Sequence, residues 1–200
     1  MVSTSGSQLL PQSAIVTLIN TLFPLTTVLT PNLPEAKLLL QTVGVNVKDP
    51  ENVDDIVAIA KHIHERGPKW VLLKGGHLPL TRGRLVSKDE SESDIVLNVL
   101  VGEGGVTLME SEYLRSKNTH GTGCSLACTL STPFRHISSS KADLNVAAIA
   151  CNLASGMSVI KAVKKANLYI EAGIKTSTDL GHGSGPINHF HSVYTLPFAP

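Results

Sequence analysis

Several classes of function are disfavoured by what this chain has little of. Cysteine is scarce: Cys124, Cys128 and Cys151 form an odd set with no Cys-x-x-Cys pair, which predicts free thiols rather than a disulfide framework. Zinc is disfavoured too, because His120, Cys124 and Cys128 lack a fourth ligand at normal spacing. No basic stretch leads into an apolar one in the manner of a secretory leader, and no apolar run is long enough to span a bilayer. With the cysteines, this predicts a reducing, cytosolic setting and no membrane partner. An excess of charge of one sign is also missing. Lys and Arg number 17 against 16 Asp and Glu, a net +1, so nucleic acid is not an expected partner either. Repeats, linkers and low-complexity tracts are likewise lacking.

What the chain does have is apolar content: 200 residues at 42% are enough for one domain with a real core. Residues 11–22 read as a helix, with Pro11 in its first turn and Ala14, Ile15, Leu18, Ile19 and Leu22 on one face. Pro24 ends it. Val28, Leu29 and Thr30 read as a short strand, and 31–35 turn out of it into a helix over 35–40. Asn32 and Glu35 then stand at the C-terminal end of a strand, the edge where open parallel sheets bind ligands. A plainer reading makes Asn32 the helix cap and Glu35 a complement to the helix dipole.

Residues 50–66 carry Val53, Ile56, Val57, Ala60 and Ile63 at helical spacing, and Gly67 closes the pattern. His62 and His64 face different sides and are no metal pair. A strand over 69–73 runs into Lys74-Gly75-Gly76-His77, where glycines permit close backbone approach and Lys74 can reach a phosphate. An exposed lysine beside a turn is the alternative there. Residues 80–93 read as a surface excursion. Strands over 95–101 and 106–109, joined by Gly102-Glu103-Gly104-Gly105, predict a hairpin. Pro133 and the serines at 138–140 break the helix begun at Cys124. Helix resumes near Asp143, is interrupted by Gly156, and continues over 159–174 before a second glycine-rich loop, Gly181 to Pro186. The alternation predicts a three-layer α/β domain with a mainly parallel sheet.

Between the hairpin and the late helices lies Lys117-Asn118-Thr119-His120-Gly121-Thr122-Gly123-Cys124. A glycine-rich turn running into a helix N-terminus presents unpaired N–H groups and a positive dipole end, an anion site. Cys124 at that end would have a lowered thiol pKa. A tight turn before an ordinary helix is the competing reading.

Four stretches now come together: Thr30-Pro31-Asn32-Leu33-Pro34-Glu35-Ala36, Leu73-Lys74-Gly75-Gly76-His77, Asn118-Thr119-His120-Gly121-Thr122-Gly123-Cys124, and Gly181-His182-Gly183-Ser184-Gly185-Pro186-Ile187-Asn188-His189. In order and approximate spacing the chain resembles the hydroxymethylpyrimidine/phosphomethylpyrimidine kinases of thiamine biosynthesis, members of the ribokinase-like superfamily. The resemblance covers nearly the whole chain. It implies a three-layer α/β/α, Rossmann-like domain and an activity dependent on ATP and Mg2+. The hydroxymethyl group of a small-molecule pyrimidine is phosphorylated first, and the monophosphate then becomes the diphosphate. It further implies an anion hole at Gly121, Thr122 and Gly123, with Cys124 standing where the superfamily's sugar kinases carry an aspartate base. Lys74, Thr119, Gly181 and Gly183 would serve the nucleotide, and Asn32 and Glu35 would hold Mg2+.

Two departures from the family pattern are expected. The first residues resemble the middle of family members, so a part carrying much of the pyrimidine pocket would be missing. Strand edges and apolar helix faces left exposed would then favour association or poor folding, a homodimer being one form that association could take. Residues 131–146 resemble an insertion that splits what the family has as one helix. A single partial kinase domain over 1–200 is therefore expected, and a catalytically silent fragment that binds nucleotide or a partner subunit is the alternative to an active kinase. A pyridoxal or sugar kinase is a third reading, and Cys124 in place of aspartate speaks against sugars.

Overall fold

The structure is a computed structural model that describes residues 10–76, 78–87, 89–116, 148–179, 182 and 185–191. It begins with α1 (Gln12–Thr17), which passes into a π turn, Leu18–Leu22, and a 3-10 turn, Phe23–Leu25. Ile15, Ile19 and Phe23 recur every fourth residue and are all buried. The apolar face thus runs on past the α-helix proper, which is shorter than the predicted 11–22. Pro24 has no N–H to give and falls in the closing 3-10 turn.

The next elements follow in order: β1 (Val28–Leu29), α2 (Leu33–Thr42), α3 (Val53–His64), β2 (Trp70–Leu73), β3 (Pro79–Leu80), β4 (Ile95–Gly102) and β5 (Gly105–Glu112). Ile56, Ile59, Ala60 and Ile63 form the buried face of α3, and Gly67 ends the segment at φ 122°. The predicted hairpin is present: β4 and β5 pair antiparallel from Ile95↔Glu112 to Gly102↔Gly105, with Gly104 and Gly105 both at positive φ. Strand β3 ends on Leu80, the first residue of what the sequence read as a surface excursion.

Among the described residues β1 and β2 pair in parallel, and β2–β4, β3–β4 and β4–β5 pair antiparallel. The expectation of a mainly parallel sheet is corrected for this part of the fold. The reason is the kind of connection: β2 reaches β4 through loops, the short β3 and a 3-10 turn, Glu90–Glu92, without the crossover helix that usually joins parallel neighbours. Strand β4 organises the sheet. One of its edges takes β2 along Val99–Gly102 and β3 along Ile95–Val96, while the other takes β5. Positions 97 and 98 of that first edge are left between β2 and β3. Leu39, Leu40, Ile56, Ile63, Val71, Leu73, Leu97 and Val99 join the α1 face in one apolar cluster.

The chain divides into two compact units, Met1–Tyr113 and Leu114–Pro200. All the elements above lie in the first. In the second, α4 (Ala148–Ala154) and α5 (Val159–Lys175) flank Gly156, which takes φ 81°. The interruption and the bounds of α5 agree with the sequence reading. Buried Asn152 ties the two helices together, its Nδ2 donating to Ala162 O at 3.2 Å.

Candidate functional site

Two of the four stretches meet at one end of the β1–β2 pair. The parallel register Val28↔Trp70 and Leu29↔Val71 continues as an isolated bridge between Asn32 and Lys74. Lys74 N donates to Pro31 O at 2.9 Å. Residues far apart in sequence are therefore side by side where both strands end, the edge expected to bind ligands.

Lys74 is held on its other side as well. After the last β2–β4 pair, Leu73↔Val99, the chain turns out of the sheet in the gap that β2 and β3 leave on the β4 edge. Gly75 N donates to Asn98 Oδ1 at 2.9 Å, and Leu78 N closes the turn onto Gly75 O at 2.9 Å. Gly75 lies flat against β4: a Cβ there would stand 1.8 Å from Leu97 O. Gly76 has nothing within 4 Å of the same position. Of the two glycines, the first is the one that the close approach requires.

Asn32 and Glu35 form a reciprocal cap on α2. Glu35 N donates to Asn32 Oδ1 at 2.9 Å, and Asn32 N donates to Glu35 Oε2 at 3.0 Å. The plainer sequence reading of this pair is what the geometry shows. Cap geometry alone is not diagnostic of a site, because Asn52 and Asp55 cap α3 in the same way, with Asp55 N donating to Asn52 Oδ1 at 3.0 Å. What separates the first cap from the second is its bridge to Lys74. The donors it offers are an amide and a carboxylate, both oxygen, as a hard cation prefers. Among the described residues no group of three or more His, Cys, Asp or Glu could hold a metal. This donor set suits Mg2+, which keeps most of its waters and binds through one or two carboxylates and phosphate oxygens, rather than an all-protein cage.

The fourth stretch belongs to the second unit, and its described part is pinned to α5. Asn188 N donates to Gly173 O at 2.9 Å, and Asn188 Nδ2 reaches Thr176 Oγ1 at 3.2 Å. Tyr169 Oη donates to His189 O at 2.9 Å and lies 3.3 Å from His189 Nδ1, while its ring lies 4.6 Å from that of His191. Burial raises the Tyr169 phenol above its ordinary value. Burial and then the neighbouring His191 lower the His189 imidazole. Thr119, Gly121, Thr122, Gly123, Cys124, Gly181 and Gly183 lie outside the described residues, as do residues 131–146 of the expected insertion.

Asn98 escaped the sequence reading. It sits in the middle of a strand pattern, and nothing local marks its side chain as the acceptor for a turn more than twenty residues earlier. The one available signal was a polar residue interrupting the apolar run from Ile95 to Val101.

Residues 1–142 and 138–188 match the family model of phosphomethylpyrimidine kinase. A hydroxymethylpyrimidine/phosphomethylpyrimidine kinase of Staphylococcus aureus is 32% identical over 95% of this chain and 56% of its own length. The thiamine biosynthesis bifunctional protein ThiED of Geobacter sulfurreducens is 34% identical over 94% of this chain and 31% of its own. The chain thus spans about half of the first relative and a third of the second. Among solved structures, an ADP complex of Bacillus subtilis pyridoxal kinase superposes with TM-score 0.69 at 29% identity, covering 96% of this chain and 59% of that one. A phosphomethylpyrimidine kinase of Clostridium difficile gives 0.55 at 30% identity, covering 86% and 53%. These neighbours share the ribokinase-like α/β fold. By the match along its length and by that fold, the chain belongs to the phosphomethylpyrimidine kinase family.

Proposed function

We propose that this chain is the nucleotide-side part of an ATP-dependent kinase that phosphorylates hydroxymethylpyrimidine and then its monophosphate, in thiamine biosynthesis. The observation that carries the reading is the junction of Asn32, Glu35 and the Lys74–Gly75 turn at one end of the sheet, in a member of this family. Phosphoryl transfer through a loose transition state needs mostly positioning and charge neutralisation. Lys74 supplies a fixed positive charge for phosphate oxygens. Glu35 and Asn32 would hold Mg2+, directly or through water, and the ion would neutralise charge on the phosphates. In the third stretch, the backbone N–H groups of Gly121, Thr122 and Gly123 would bind the transferring group. Thr119, Gly181 and Gly183 would border the nucleotide. Cys124 would take the proton from the substrate hydroxyl as its oxygen bonds to phosphorus and ADP departs.

A second reading goes with the share of the relatives that the chain spans: a catalytically silent chain that at most binds nucleotide or a partner subunit. The acceptor is also open to comparison, since the neighbour with TM-score 0.69 is a pyridoxal kinase. A coupled ADP-release assay with hydroxymethylpyrimidine, its monophosphate and pyridoxal, beside direct Mg-ATP titration, separates these. Turnover with the pyrimidines supports the proposal. Binding without turnover supports the silent chain, pyridoxal turnover alone reassigns the substrate, and no Mg-ATP binding refutes the kinase reading.

A further inference from the structure

We infer that Asn98 is a positioning residue for Lys74, acting through the peptide that follows it; the inference rests on the nucleotide reading above. The sheet leaves Lys74 exposed to displacement. The β2–β4 ladder stops at Leu73↔Val99, β3 resumes pairing only at Pro79↔Val96, and the chain between them leaves the β4 edge. Two hydrogen bonds bracket Lys74 within that gap. Its own N–H is held by Pro31 O on the β1 side, and the next N–H, that of Gly75, is held by Asn98 Oδ1 on the β4 side. Gly75 is buried, with Leu97 O where a Cβ would stand, and its N–H is held by a side chain rather than by the β4 backbone. A side-chain amide thus takes over where the backbone ladder ends. It fixes the direction in which the Lys74 Cα–Cβ bond leaves the sheet, beside the Asn32–Glu35 cap. The Leu78 N–H bond to Gly75 O closes the turn upon itself.

Mg-ATP titration of the full chain tests this with Asn98→Ala, Asn98→Asp, Lys74→Met and the Asn98→Ala/Lys74→Met pair. Asn98→Ala should weaken Mg-ATP binding about tenfold, the usual consequence of losing one hydrogen bond that fixes a binding group. In the Lys74→Met background the same substitution should add less than about twofold, because the charge that it positions is gone. Amide exchange at Gly75 should accelerate in Asn98→Ala and return toward the wild-type rate in Asn98→Asp, which keeps the acceptor. A purely structural role would lower the melting temperature of Asn98→Ala and leave its affinity for Mg-ATP unchanged, overturning the inference. Equal weakening with and without Lys74 would overturn it too. A wild-type chain that binds no Mg-ATP removes the functional reading and this inference together, whereas intact wild-type binding with an unaltered Asn98→Ala removes only the inference.

Discussion

Replacing Gly75 by alanine probes the close approach of the Lys74 turn to β4 directly. The added Cβ would lie 1.8 Å from Leu97 O and 2.7 Å from Leu97 C, both backbone atoms of a central strand that cannot rotate away. The turn must therefore lift by more than an ångström. Forcing a packed backbone apart costs about 1–3 kcal/mol. If the lift also strips the Gly75 N–H of its Asn98 acceptor, a buried unsatisfied donor adds ~1–3 kcal/mol. A loss of about 3 kcal/mol is expected, or roughly 6–12 °C in Tm for a chain of this size. Gly76→Ala is the control. It meets nothing within 4 Å and needs no positive φ, so it should be neutral or stabilise by up to ~1 kcal/mol through the unfolded state. The assay is built into the chain: its single tryptophan, Trp70, heads the strand that ends at Leu73, so fluorescence in a urea titration reports this unit. Equal midpoints for Gly75→Ala and wild type, or equal losses at both glycines, would refute the reasoning.

Glu35→Gln separates capping from metal binding. The amide oxygen can still accept from Asn32 N, so stability should stay within about 0.5 kcal/mol, while Mg-ATP binding should weaken at least tenfold; unchanged affinity would leave Glu35 as a cap alone. Asn32→Ala should instead cost about 1 kcal/mol in a urea titration, as caps generally do. Cys124→Ala and Cys124→Ser in a full-length relative should each lower kcat about a hundredfold or more if the thiol is the base, and near-normal turnover in both would remove it from that role. The His189 imidazole is lowered in the folded chain, so the unfolded chain takes up its proton first as pH falls. The segment carrying His189 should therefore lose stability progressively below its ordinary value of 6.5, with the loss levelling off once the folded imidazole also protonates. Amide exchange in α5 over that interval, compared with His189→Gln, checks it; an unchanged pH dependence in the variant would exclude His189 as the source.

Local patterns carried most of the architecture. Ile56, Ala60 and Ile63 announce α3, the Gly102–Gly105 stretch announces the hairpin, and Gly156 announces the break between α4 and α5, because each is decided by neighbours within a turn or two. The π and 3-10 continuation of α1 was hidden, since the every-fourth spacing of Ile15, Ile19 and Phe23 reads as plain α-helix and a single π or 3-10 turn adds no pattern of its own. Strand β3 is two residues whose only strand character is its pairing with Val96 and Ile95. At the site, the capping pair was readable from Asn32 and Glu35 because it acts over three residues. The join of Lys74 to Pro31 and of Gly75 to Asn98 was not readable from local pattern, because both depend on sheet order.

The cap on α2 has a consequence for how the site assembles. The Glu35 carboxylate is oriented by the bond it accepts from Asn32 N, three positions away, so its geometry can form as soon as α2 nucleates, before any strand has found its neighbour. Lys74 is placed only when β1 and β2 dock, and the Asn98 bond forms only when β4 arrives. One half of the charge arrangement is thus encoded in a heptapeptide and the other in the tertiary fold. A variant that loosens the sheet would leave a correctly shaped acidic cap without the lysine bridged to it.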